Sequence, residues 1–323
     1  MIRVGILGAG GMGNVHARQY RKMSDVELFL YEPNDDRRNV YVERWAPQLT
    51  SSFDDLAAKV DVIDVCLPTD LHHEFVLKSL AAGRATLVEK PMARTLEQAA
   101  EMNEAAERAG VPFMVGHVVR YFAEFAAGNR AVASGKVGKP AAARTRRGGL
   151  APTGSDSWFM DHSRSGGVLI DLGIHDFDWL RWTLGEVKSV YSQSLGAKRG
   201  QGPDYALTTL TFESGAIGHC EATWMDPSGF RTTFEVAGDK GLIQHDSRNT
   251  AALRTHSGGK TFLESPLDGF DDPYYKQLRA FVDAVRDGTP VPVTGQDGFA
   301  SLAIALAALE SGRTNRAIAP ARP

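Results

Sequence analysis

The chain has 323 residues, with 36 Lys plus Arg against 39 Asp plus Glu and a formal charge of −3. Single cores rarely grow past about 250–300 residues, so two domains are expected. Balanced charge without a long single-sign run argues against a nucleic-acid or anionic-membrane surface, and no apolar run approaches the about 20 residues of a membrane span.

The first 115 or so residues alternate short β-rich runs with helical patterns. Strands are predicted at 2–7, 26–31, 61–66, 86–89 and 112–115, and helices at about 12–23, 35–45, 70–82 and 95–109. Such alternation implies right-handed crossovers and a doubly wound parallel sheet. Thr95 and Gln98 form a capping-box start for one helix, and Gly110 with Pro112 closes it. After a helical stretch near 119–134 the pattern changes. A long helix at about 168–184 is followed by alternating runs at 187–197, 205–213, 216–224, 230–237 and 241–246, then helices near 273–287 and 296–312. The expected fold class is therefore α/β: a Rossmann domain, residues 1–120, and an α+β domain, residues 121–323, built on a large, mostly antiparallel, open-faced sheet. Cys66 and Cys220 lie in apolar, strand-like contexts, which suits buried thiols in a reducing, cytoplasmic compartment. The strand pattern starting at residue 2 has none of the features of a secretory leader.

Chemistry concentrates in three places. The segment GAGGMG places Gly8, Gly10 and Gly13 in G-x-G-x-x-G spacing between a predicted strand and helix, with Gly11 and Met12 inside the turn. The spacing suits a tight turn, close approach to a pyrophosphate and close helix–strand packing. Glu32, 19 residues past Gly13, suits the adenosine ribose hydroxyls and repels a 2′-phosphate, so NAD is favoured; Arg37 and Arg38 keep NADP open. Pro68 and Thr69 follow the Cys66 strand where they would line a cofactor cleft, with His72 a weaker candidate beside them. Glu89, Lys90 and Pro91 end another strand, and Lys90 is placed to polarise a substrate oxygen.

The third place is SGGVLIDLGIHDFDWL, residues 165–180. At ideal helical spacing Asp171, His175 and Asp178 share one narrow stripe, and an interior Gly173 costs roughly 1 kcal/mol relative to Ala. If the domains meet at the nicotinamide end of a cofactor, Lys90, Asp171 and His175 make a proton-transfer set, with His175 as acid/base and Asp171 orienting it. Cys and His at zinc spacings are missing, so no metal site is expected.

The order GAGGMG, Glu32, EKP and SGGVLIDLGIHDFD resembles the glucose-fructose oxidoreductase / inositol dehydrogenase / MocA family of nicotinamide-dependent oxidoreductases. The resemblance spans nearly the whole chain. It implies that Lys90, Asp171 and His175 are the catalytic set, that the substrate is a sugar or cyclitol hydroxyl or ketone, and that the protein is a homodimer or homotetramer joined through the open sheet face. It also implies a sugar pocket lined by Trp158, Phe159 and Asp161. In GHVVRYF, His117 replaces the family's usual aromatic and is placed near the nicotinamide, while Val119 stands where many members have arginine, leaving Arg120 as a structural tie between domains. Two rival readings are a redox-assisted glycosidase or lyase that recycles its NAD, and a non-catalytic NAD(H) sensor.

Overall fold

The computed structural model describes residues 1–151, 161–196, 203–249, 253–266 and 272–322. They fall into two compact units, Met1–Val118 with Asp272–Phe299, and Val119–Asp271 with Ala300–Pro323.

In the first unit, strands and helices alternate as β1 (Ile2–Leu7), α1 (Gly11–Tyr20), β2 (Val26–Tyr31), α2 (Asp35–Trp45), β3 (Gln48–Leu49), α3 (Phe53–Lys59), β4 (Val62–Val65), α4 (Thr69–Ala81), β5 (Ala85–Glu89), α5 (Leu96–Ala109) and β6 (Phe113–Gly116). The sheet order is β3-β2-β1-β4-β5-β6, and every pair is parallel. Strand order reverses between β1 and β4, the place where open α/β sheets bind ligands at their carboxyl edge. Central strands covered on both faces read as continuous apolar runs, and Val4, Ile6, Val62, Ile63 and Val65 are all fully buried. Local signals work as expected at α5: the Thr95 hydroxyl accepts the Gln98 amide at 3.3 Å, and Gly110 takes the left-handed C-cap. The Gln98 side chain reaches one residue further back than a capping box requires, accepting the Arg94 amide at 3.1 Å.

The expected single break near residue 120 misses the return of residues 272–299 to this unit. Helix Pro273–Asp287 is strongly amphipathic and must bury its apolar side, which carries Leu278, Phe281 and Val282. It packs on α1, where Gln19 donates to Asp272 at 2.7 Å; midway along the helix Arg279 donates to Asp25 at 2.6 Å. An antiparallel bridge from Met114 to Thr294 continues the edge of β6.

The second unit contains α6 (Ala123–Ala133), β7 (Pro140–Gly148), the short α7 (His162–Ser165), a π-helical turn (Leu169–Gly173) and α8 (Ile174–Leu184). These are followed by β8 (Val187–Gly196), β9 (Pro203–Phe212), β10 (Ile217–Thr223), β11 (Arg231–Gly238), β12 (Gly241–Asp246), β13 (Leu253–Ser257) and β14 (Lys260–Glu264). The sheet runs β14-β13-β12-β11-β7-β10-β9-β8, antiparallel except for the β7–β10 pair. Its helix-covered face is closed by Phe125, Trp179 and Phe234, whose ring centroids lie 4.6–5.4 Å apart. Along β9, Ala206, Thr208 and Leu210 are buried while Leu207 between them is exposed, so the sheet keeps one outward face. Among the described residues no helix is long and apolar enough to cross a membrane.

Candidate active site

In the first unit, β1 delivers the chain to a glycine turn whose backbone leaves no alternative. Gly8 has φ +97°, and a Cβ on Gly13 would lie 2.0 Å from the Gly8 carbonyl oxygen, so α1 can approach β1 only with glycine there. A Cβ on Gly10 or Gly11 would meet nothing within 4 Å, and Gly10 caps α1 without a side-chain hydrogen bond. The turn thus presents open space and the positive end of a helix dipole, which fits the pyrophosphate of a dinucleotide. Met12 is half-buried in the first turn of the helix.

Glu32 stands at the end of β2, as expected, but its carboxylate is already engaged. Oε2 accepts the Ala9 amide at 2.8 Å and Oε1 accepts the Asn34 amide at 2.9 Å, lacing the glycine turn to the loop before α2. Each oxygen keeps a second lone pair, so the group can still receive a ribose hydroxyl. Arg38 is turned to Asp35 at 2.5 Å, and the Arg37 amide donates to the Asn34 side chain.

Pro68 caps α4 and Thr69 opens it, at the carboxyl edge beside the strand-order reversal. His72 is 1% exposed rather than on a helix surface. Its Nδ1 lies 2.9 Å from the Pro91 carbonyl and its Nε2 2.8 Å from the Leu67 carbonyl, so its ring braces two loops instead of facing a ligand. Burial is the larger influence on His72, and it holds its pKa below the ordinary value despite the two carbonyls. Glu89 ends β5, and Lys90 follows it half-buried, joined to Pro91 by a cis peptide bond. His117 is fully buried after β6, and its amide donates to Val115 at 2.9 Å.

In the second unit the stripe expected from ideal spacing breaks. A π turn over Leu169–Gly173 takes an extra residue per turn and rotates α8 relative to Asp171, and such turns recur at functional sites. Asp171 and His175 remain half-buried, whereas the Asp178 side chain is fully buried and forks onto Arg120 at 2.6 and 2.8 Å, with Ser301 donating at 3.1 Å. Arg120 and Asp178 belong to the same unit, so Arg120 is an internal tie there and Asp178 is structural. A second buried fork, missed in the sequence, joins Arg147 on β7 to Asp176 at 2.7 and 3.3 Å. Gly166 and Gly167, at φ +79° and +73°, turn the chain into this helix, and the Gly167 amide donates to the Ser165 hydroxyl. The Asp161 carbonyl accepts the amides of Arg164 and Ser165. Trp158 and Phe159 lie outside the described residues.

Residues 2–117 match an oxidoreductase family with an NAD-binding Rossmann fold, and residues 125–244 match the GFO/IDH/MocA C-terminal domain. The myo-inositol 2-dehydrogenase of Thermotoga maritima is 30% identical, with 98% of each chain covered. The inositol 2-dehydrogenase of Rhizobium meliloti is 27% identical, again over 98% of both chains. Among solved structures, GenD2 from gentamicin A biosynthesis in complex with NAD is 26% identical with a TM-score of 0.88, covering 99% of this chain and 96% of its own.

Proposed function

The chain belongs to the GFO/IDH/MocA family of oxidoreductases with an NAD-binding Rossmann fold, and from that premise we propose that it moves a hydride between NAD and a secondary hydroxyl, or the matching ketone, of a cyclitol or sugar. The observation that carries the reading is the end-to-end likeness to a myo-inositol 2-dehydrogenase, in a chain that retains EKP at 89–91 and the Asp171/His175 spacing. Bound NAD supplies the hydride acceptor. Lys90 polarises the reacting oxygen, His175 takes or returns the hydroxyl proton, and Asp171 orients the pair. Gly8, Gly10, Gly11, Met12 and Gly13 receive the pyrophosphate, and Pro68 and Thr69 line the cleft. Glu32 supports NAD over NADP because its charge opposes a 2′-phosphate and Asp35 occupies Arg38. His117 and Asp161 are proposed on the substrate side.

A homodimer or homotetramer is the assembly we propose, built on the outward face of the second sheet, and a reducing, cytoplasmic setting suits the two buried free cysteines. The test is incubation with NAD or NADP across inositols, aldoses, sugar acids and aryl glycosides, recording reduced nicotinamide and sugar products together. Substrate-dependent NADH is the expected result; sugar cleavage without NADH would replace it with an internally recycled redox reaction. Lys90→Met should keep NAD binding by fluorescence and lose turnover by about 10²–10⁴-fold. Retained turnover in that variant would remove Lys90 from the mechanism.

A further inference from the structure

The first unit holds a buried ionic group that the proposed proton transfer does not use. His16, on α1, is fully buried, with Nδ1 2.8 Å from Asp64 Oδ2 and 3.3 Å from Cys66 Sγ. Its Nε2 lies 3.2 Å from Glu89 Oε1. Both ring nitrogens therefore face carboxylates, and two buried carboxylates without a counter-charge would be strongly disfavoured. An imidazolium between them meets that demand. Burial works against the charged ring, but the Asp64 charge and the Cys66 and Asp64 contacts outweigh it and hold His16 well above its ordinary pKa.

Glu89 connects this group to the end of β5. Its Oε2 accepts the backbone amide of Lys90 at 3.2 Å, and a Cβ on Gly116 of the neighbouring β6 would lie 2.9 Å from Oε1, so the strand beside it leaves the carboxylate its space. The group thus sets two carboxylates against one imidazole ring immediately before Lys90. The groups facing Glu89 are His16 from α1, His72 from α4 and Lys90; behind His16 stand Asp64 of β4, Cys66 just after that strand, Tyr20 of α1 and the ring of Tyr274. Burial pushes Glu89 up, yet His16, Lys90 and His72 together hold it below the usual carboxylate value.

We propose that His16 and Glu89 are positioning residues for Lys90: Asp64 orients His16, His16 holds Glu89, and Glu89 fixes the Lys90 backbone while its buried carboxylate charge acts on the Lys90 ammonium. The functional meaning rests on the reading of Lys90 as the group at the reacting oxygen. The charge relation does not depend on a substrate and can be read from the amine itself.

The experiment is trace acetylation of the full-length protein with acetic anhydride over a pH series, following the Lys90 peptide by mass spectrometry. Losing the carboxylate whose charge Lys90 meets should make the ammonium easier to deprotonate, so Glu89→Gln should move the Lys90 midpoint down by about one pH unit. Glu89→Asp, which keeps the charge, should recover most of that shift. His16→Gln, which removes the ring that holds Glu89, should move the midpoint away from wild type; it carries the test if Glu89→Gln does not fold. Midpoints equal to wild type in variants with unchanged circular dichroism would overturn the proposal. The two readings fail separately: an active Lys90→Met with the labelling shifts present removes the catalytic role alone, and an inactive Lys90→Met without them removes the positioning alone.

Discussion

His16 and Glu89 are buried as partners of one another, and the pairing makes folding stability depend on pH in a direction that can be worked out. His16 has a folded pKa above its ordinary 6.5, so its contribution is complete below about that pH and is lost as pH rises through the folded value. Glu89 has a folded pKa below its ordinary 4.5, so its contribution is complete above about that pH and is lost as pH falls through the folded value. Thermal unfolding followed by circular dichroism should therefore decline on both sides of neutrality, and in His16→Gln the alkaline decline should be shallower; an unchanged alkaline limb would contradict the imidazolium. The glycine turn, Glu32 and Lys90 are legible in the sequence because each belongs to a compact motif. The surroundings of His16 are not, since Asp64 is 48 residues away in the chain and only the β1–β4 pairing brings it near.

At the scale of elements, the approach of α1 to β1 is the feature most easily broken. Gly13→Ala puts a methyl group against the Gly8 carbonyl, where neither backbone can yield cheaply, and overpacking of this kind costs about 1–3 kcal/mol. A lower urea midpoint together with weakened NAD binding is expected, and a variant that binds NAD with wild-type affinity would show that the turn can relax. The elements that patterning finds, such as β1, β2, α2 and helix Pro273–Asp287, have apolar residues at a regular period or clear caps. Those it misses lack that signal. Strand β7 reads PAAARTRRG, and its arginines alternate between a buried fork at Arg147 and outward pairs at Arg144 and Arg146, so its place between β11 and β10 depends on partners distant in sequence. The two-residue β3, the short α3 and the outer strands β13 and β14 are too brief or too polar to announce themselves. The π turn is invisible to any reading that assumes 100° per residue, which is why ideal spacing groups Asp178 with Asp171 and His175.

Across the whole molecule, the outward face of the second sheet is the surface on which we propose that copies meet. Leu195, Leu207, Ile217 and Met225 are each 44–64% exposed, on or beside β8, β9 and β10, and exposed apolar groups gathered on a sheet face mark an association surface. Sedimentation velocity should show a dimer or tetramer, and Leu207→Asp with Ile217→Asp should shift it towards monomer; a wild-type monomer at micromolar concentration would exclude this face. The return of residues 272–299 to the first unit has a separate consequence, for synthesis on the ribosome. A nascent chain that has just emerged through β6 has every strand of its nucleotide-binding sheet but neither the helix that covers α1 nor the bridge that continues β6 at Thr294. The whole stretch of translation between β6 and residue 272 therefore passes with a helix face and a sheet edge uncovered, the condition under which partly made chains aggregate. Completion of the cofactor unit waits on the arrival of residues 272–299, which are made long after β6.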